Sequence, residues 1–445
     1  MQNLTLNPAI TSSTTSQLVE HDTRHSLWLA TANATPALPV LDASRRADVI
    51  VVGGGYLGLA CALQLASHGV DVTVLEAATP GFGASGRNGG QVIPGLKYDP
   101  AELTSLFGPA QAENIIAFAS ATADAVFDTV ARYNIQCDAI RQGWIQGAHN
   151  DSMLRTTEQR ARQWIARGAN AQLLDGPAIT QMIGCAPGLY RGGWIDRRAG
   201  SVHPLNYALG LASAAIEQGA HVFQQSAATR IERDGRDWRV ITQQGASVSA
   251  PQIVLATNAY TDELWPRLRT SIVPAVSSQV ATDPLPTQLR SLILQEQQVV
   301  SDARRLLHYY RVDAAGRLII GGRGNQPSRQ GVQDYQHIRR ALEATFPQLT
   351  GVSLPYRWSG RLAMTRDSMP HLHQPAPGIT IALGCNGRGV GLTTAIGQAI
   401  ADHLRLDNGA ALPFSVTPIR PIPLHKLHRL YIAVAVQYFK IRDLF

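Results

Sequence analysis

Residues 48–76, DVIVVGGGYLGLACALQLASHGVDVTVLE, constrain this chain more than any other stretch. Residues 48–52 form a short apolar run of β-branched character, the pattern of a buried parallel strand. Gly53-x-Gly55-x-x-Gly58 follows at once. In such a motif the first glycine permits a tight turn, the second admits a pyrophosphate to the backbone, and the third lets helix and strand pack closely. A helix over about 57–68, closed by Gly69, then aims its N-terminal N–H groups at the phosphates. A second strand over 70–75 ends at Glu76, whose carboxylate can accept from both ribose hydroxyls of an adenosine. Strand, glycines, helix, strand and acid in register predict a dinucleotide-binding βαβ unit.

The remaining composition narrows the class. With 445 residues, 45% hydrophobic and 16% charged, the chain has length for two domains with buried cores. Cys61, Cys137, Cys185 and Cys385 show neither a CxxC pair nor metal-ligand spacing, so we expect no disulfide framework, no metal site and a reducing, cytoplasmic setting. Basic residues exceed acidic ones, 39 against 32, but they are dispersed and form no aromatic-interleaved stripe, which argues against nucleic acid as a partner. Neither a signal peptide nor an apolar run long enough to span a membrane is evident.

Nucleotide-type elements recur at the start, middle and end of the chain, with a different strand-rich pattern between them. This predicts an α/β fold: a Rossmann-type domain in three pieces (46–133, 193–262, 352–412) interleaved with a mixed-sheet substrate domain (134–192, 263–351). An N-terminal extension (1–45) and a C-terminal helical tail (413–445) complete the expected division. A helical stretch is expected over about 109–133, a helix over about 393–407, and a hairpin over 238–250 turning at Gly245.

Two features point to FAD over NAD. Gly81, Gly83, Gly86, Gly89 and Gly90 crowd the segment after Glu76, as needed where backbone runs flat beside a large planar ring. A second glycine-rich loop, 384–391, opens a helix whose N-terminus favours negative charge on a reduced flavin.

The chain resembles the FAD-dependent D-amino-acid oxidase superfamily, and within it the gamma-glutamylputrescine oxidoreductase branch. The likeness rests on SLWL at 26–29, residues 47–77, GASGRNGGQ at 83–91, residues 193–220, IVLATNAYTDEL at 253–264, HYYRVDAAGRLIIGGRG at 308–324, WSGRLAMTRDSMPHL at 358–372 and residues 384–404. The resemblance implies a two-domain flavoenzyme that oxidises a C–N bond of an amine or amino acid. It places Gly53, Gly55, Tyr56, Leu57 and Gly58 at the pyrophosphate and Glu76 with Ala77 at the ribose. Ser85, Arg87, Asn88, Gly89, Gly90 and Gln91 would follow the pyrophosphate and flavin, with Thr257 and Arg361 beside them. Gly387, Arg388, Gly389, Val390 and Gly391 would form the C-terminal flavin loop. Sarcosine-type relatives attach FAD through a cysteine upstream of the Thr-x-Asp turn; Thr365-Arg366-Asp367 lacks one, so FAD is expected to be non-covalent. Those relatives also carry a lysine in the C-terminal loop where Gly391 stands, which leaves O2 and a membrane quinone both open as acceptors.

For chemistry, Arg388 is the candidate cation by the flavin. Tyr309 and Arg311 would share one face of a strand, Arg311 being placed to bind a substrate carboxylate. His203, just before Pro204, is a further candidate for substrate contact, with helix capping as the competing role. The basic, apolar tail over 424–445 is expected to dock on the protein or to touch a membrane surface.

Overall fold

The computed structural model describes residues 25–324, 335–406 and 411–443. The motif strand Val49–Val52, buried at every position, lies inside a six-stranded sheet. Val72–Leu75 and His221–Phe223 extend it on one side, Gln252–Leu255 and Ile379–Leu383 on the other, all parallel. His371–His373 closes one edge antiparallel. Continuous apolar runs are what strands covered on both faces require. On one face, helices Tyr56–Ala66, Thr122–Arg132, Pro204–Glu217 and Gly389–Arg405 share a core with Val51, Val74 and Val254. On the other, Trp238, Val240 and Val248 of a smaller sheet share a core with Ile50, Ile253 and Ile381. That smaller sheet contains the expected hairpin, Asp237–Thr242 with Ser247–Ala250, flanked by Ala228–Asp234 and Arg45–Arg46.

An eight-stranded mixed sheet stands beside this unit. Its order is Tyr356–Met364, Val273–Pro284, Arg317–Arg323, Tyr309–Val312, Val299–Asp302, Trp144–Ala148, Gly192–Asp196, Ala171–Asp175. Alternation along the strands splits its residues between two faces. Ile145, Ile195, Val300 and Tyr310 pack with helices Gly176–Ile183 and Gln336–Thr345, while Trp144, Trp194 and Val299 join the core of the nucleotide-type unit. The inner face of this sheet and the glycine-rich loops therefore look at each other.

Several sequence expectations shift. The boundaries at 193 and 352 are displaced, because Gly192–Asp196 and Tyr356–Met364 pair within the eight-stranded sheet. The helical stretch expected over about 109–133 consists of two helices, Pro109–Ser120 and Thr122–Arg132, meeting at Ala121. An unexpected helix, Pro100–Phe107, is started by a capping box between Asp99 and Glu102 with Pro100 in the first turn. From residue 25 onward the supposed extension is part of the body. Leu27 and Trp28 are buried with Leu205, Leu209, Ile319 and Trp358 where the two sheets' units meet, and Arg45–Arg46 is a strand. The tail forms helix His428–Arg442, tethered where His425 Nε2 donates to Ile272 O (2.8 Å) and Asp443 accepts from the Arg305 and Leu306 N–H groups (3.0 and 3.1 Å). No helix of the described residues is long and apolar enough to cross a membrane. All four cysteines are buried and free.

Candidate flavin site

Helix Tyr56–Ala66 starts where the sequence motif requires, with Gly55 as its N-cap. A Cβ on Gly58 would lie 2.0 Å from Gly53 O, so only glycine lets helix and strand come this close. Ser85 Oγ accepts from the Tyr56 N–H (3.0 Å), which places the later loop against the phosphate-type helix start. Leu57 is buried on the same turn. Half-buried Glu76 accepts from Gly54 N–H (2.7 Å) through Oε2 and from Ala78 N–H (2.8 Å) through Oε1. Burial raises the pKa of this carboxyl, opposed by backbone N–H groups of Ala78, Gly54 and Ala77. Each carboxylate oxygen still has acceptor capacity for a ribose hydroxyl. Thr257 adjoins this turn: its Oγ1 meets Thr261 Oγ1 (2.6 Å), and the preceding Ala256 O would lie 3.0 Å from a Cβ on Gly53.

The loop after Glu76 is fixed by its own side chains. Asn88 Nδ2 donates to Ala84 O, Ser85 O and Tyr56 Oη, and its Oδ1 accepts from the Gly90 N–H (2.8 Å). The Arg87 carbonyl accepts from Gln279 Nε2 (2.6 Å) and Trp358 Nε1 (3.0 Å). Arg87 is buried with its guanidinium 4.5 Å from the Phe82 ring centroid. Its Nη1 and Gln279 Oε1 have no hydrogen-bond partner among the described residues. A buried donor and a buried acceptor left open near the Gly89 turn are what the polar edge of a flavin would satisfy. Arg361 lies close enough to lower the Arg87 pKa further, after burial. Gln91 faces away: its amide donates to Val300 O and Tyr310 O (3.0 and 3.3 Å) and ties the loop to the eight-stranded sheet.

Tyr309 and Arg311 do share the inner face, but with different duties. The Tyr309 ring packs on Gly89 and Gly321, and its hydroxyl meets Ser277 Oγ (2.7 Å); burial pushes its pKa up to about 12. Arg311 does not stand free for a substrate carboxylate. Its Nε donates to Gly89 O (2.8 Å) and its Nη2 to Val202 O (2.9 Å), and it lies 5.1 Å from the Trp28 ring centroid. It is a clamp beneath the loop. His203 is likewise engaged by the protein itself. It caps helix Pro204–Glu217, with Nδ1 accepting from Asn206 N–H (3.1 Å) and Nε2 meeting Thr31 Oγ1 (3.0 Å). Burial, then Arg311, lowers its pKa to about 4, so the ring is neutral. His203 and Arg311 line a cavity of about 240 Å³ with Trp28 and Asp313.

The C-terminal loop closes the site. Asn258 holds it at both Gly384 N–H (3.1 Å) and Cys385 Sγ (3.4 Å), and Asn386 Oδ1 accepts from Thr365 N–H (2.9 Å). Gly387 is exposed; Gly389 and Val390 begin the helix that Arg388 precedes as N-cap. Arg388 donates to Pro94 O (3.0 Å) and lies 4.9 Å from the Trp144 ring centroid. Gly391 is a packing residue: a Cβ there would lie 2.7 Å from Thr122 O, so no lysine fits at this position.

Trp28, Gln279, Asn258 and Arg160 were not singled out from sequence as site residues. Trp28 Nε1 donates to Asn88 O (2.8 Å) from a residue 60 positions away, a separation no local pattern signals.

A family model described as FAD dependent oxidoreductase matches residues 48–403. The chain is 34% identical to gamma-glutamylputrescine oxidoreductase of Escherichia coli (strain K12) over 429 residues, 96% of this chain and 99% of that one. It is 25% identical to glycine oxidase of Geobacillus kaustophilus over 401 residues, 84% of this chain and 97% of the relative. The crystal structure of glycine oxidase from Geobacillus kaustophilus superposes with a TM-score of 0.69 at 21% identity, covering 85% of this chain and 99% of that one. That of L-proline dehydrogenase from P. horikoshii gives 0.67 at 18% identity, covering 83% and 96%. With its dinucleotide turn, its acid at the second strand and an open polar pair beside a flat glycine turn, the chain belongs to the DAO family of FAD-dependent oxidoreductases.

Proposed function

We propose that this enzyme oxidises the C–N bond of a primary amine, with a gamma-glutamylputrescine-like amine favoured over small amino acids. The observation that carries this is the 34% identity, across nearly the full length of both chains, to a gamma-glutamylputrescine oxidoreductase. Bound FAD supplies a two-electron acceptor. The substrate amine must arrive neutral, with a C–H directed at that acceptor. Hydride leaves the carbon, a proton leaves the nitrogen, and the resulting imine takes up water to give an aldehyde and ammonia; an amino acid would give a keto acid. The chain contributes the pocket and its charge. Tyr309, un-ionised, and the Gly89 turn shape one wall, and Trp144 another. Glu76, Ser85, Asn88 and Arg87 are the residues we assign to holding FAD, with Gly53, Gly55 and Gly58 giving it room.

FAD is held without a covalent bond in this proposal. Leu362, Ala363 and Met364 precede Thr365 where relatives of the sarcosine type carry the attaching cysteine, and Cys385 is buried against Asn258. O2 is the acceptor we favour, with hydrogen peroxide as product; a quinone is the alternative. Anaerobic mixing of the yellow protein with a panel of diamines, gamma-glutamyl amines and D- and L-amino acids tests the substrate class. Bleaching by a gamma-glutamyl amine at micromolar to millimolar concentration is expected, and bleaching only by amino acids overturns the assignment.

A further inference from the structure

Three cations gather where the segment 94–99 meets the inner face of the eight-stranded sheet. Lys97 follows the 89–94 segment, Arg388 begins the last helix, and Arg160 projects from helix Asp151–Ala166. Arg388 is anchored on Pro94 O and the Trp144 ring. Arg160 donates to Asp99 Oδ1 (2.5 Å) and to Gln146 Oε1 (3.0 Å), the latter also held by Trp194 Nε1 (3.1 Å). Of the three, only Arg160 has a carboxylate within ion-pair distance among the described residues. Lys97 makes no hydrogen bond or ion pair among them. It is solvent-exposed, and partial loss of hydration, then Arg388 and Arg160, lowers its pKa to about 8. Asp99 and Asp196 also act on Arg388, but Asp99 is ion-paired with Arg160 and Asp196 with Arg198, so the cluster keeps an excess of positive charge, which an anionic ligand would complement.

Position on the sheet adds a length. Trp144, under Arg388, belongs to the strand Trp144–Ala148, and Tyr309 to Tyr309–Val312, with Val299–Asp302 between them. Two strand spacings are about 10 Å. The amine and carboxylate of an α-amino acid, two bonds apart, cannot bridge that span.

We propose that Lys97, Arg388 and Arg160 bind a carboxylate of the substrate that is remote from the carbon being oxidised, so that the enzyme selects long amines with an anionic far end over plain diamines and α-amino acids. This rests on the amine-oxidising function above. The test compares N-glutaryl-1,4-diaminobutane with its neutral N-pentanoyl counterpart in anaerobic reduction of the holoenzyme. The carboxylated amine is expected to have an apparent Kd about tenfold lower at a similar limiting rate. Lys97→Met and Arg160→Met should each raise that Kd about tenfold while leaving the neutral amine unchanged, with Lys97→Arg restoring it and flavin content per subunit reporting the fold. Equal Kd values for the two amines, or variants that alter only reoxidation by O2, overturn the proposal. Should no amine reduce the flavin, the function fails but the site is still decided. Glutarate should then perturb the flavin spectrum of the parent enzyme and do so at least tenfold more weakly in Lys97→Met; identical titrations refute the site.

Discussion

Glu76 shows how one side chain serves fold and cofactor together. Its two oxygens already hold the backbone N–H groups of Gly54 and Ala78, so the carboxylate is oriented before any ribose arrives. Glu76→Arg replaces that acceptor with a cation and leaves the two N–H groups unpaired. The purified variant is expected to lose most of its flavin, measured as the absorbance ratio at 450 and 280 nm; a full flavin complement would show that Glu76 is not the ribose ligand. His203 offers a pH test. Its folded pKa of about 4 lies below the ordinary value of 6.5, so the unfolded chain takes up a proton first as pH falls. Stability from the neutral ring is therefore complete above pH 6.5 and declines as pH drops towards 4, by an amount on the order of 3 kcal/mol. His203→Asn keeps a side chain suited to the N-cap position and removes the titration. Its unfolding free energy should fall less steeply between pH 6.5 and 4 than that of the parent; equal slopes would reject the role.

At the scale of elements, close contacts decide which sequences are tolerated. Helix Tyr56–Ala66 rests on its strand through Gly58, and helix Gly389–Arg405 rests on it in turn, with Gly397 facing Leu57 O. Gly58→Ala must push the helix away from Gly53 O. We expect a loss of about 1–3 kcal/mol, as for overpacked cores, and weaker flavin retention. A thermal midpoint and flavin content equal to the parent's would contradict the geometry. The short helix Leu27–Ala30 carries more than its length implies. Trp28 is buried, packs edge-on against Trp358 (5.6 Å between centroids) and donates to Asn88 O in the flavin loop. Trp28→Ala should cost about 3–5 kcal/mol, with denaturant unfolding as the readout.

For the whole molecule, the two units meet across the loops that the assigned FAD would occupy, so cofactor and interface stabilise each other. FAD should nevertheless come away when the chain unfolds. Acid precipitation is expected to leave all the yellow colour in the supernatant, and flavin in the washed pellet would establish a covalent link. The C-terminal helix runs from a tether near Ile272 to one at Arg305, with Leu430, Val434 and Tyr438 exposed along it.

The local motif was legible because its constraints are local. Gly53, Gly55, Gly58 and Glu76 lie within one βαβ unit, and period, turn chemistry and terminal acid act over a few residues each. The second glycine-rich loop and the family likeness extended that legibility to FAD. Tertiary structure alone decided the rest. Arg311 and His203 have the right side chains for a substrate site, yet long-range packing spends one on Gly89 and Val202 carbonyls and the other on a helix cap. Arg388 donates to Pro94 O from 294 positions away, and so stands beside the segment that carries Lys97. Sequence patterning records which face of an element is apolar; which face meets which is set by how the units close on each other, and that is where the charges of this site were assembled.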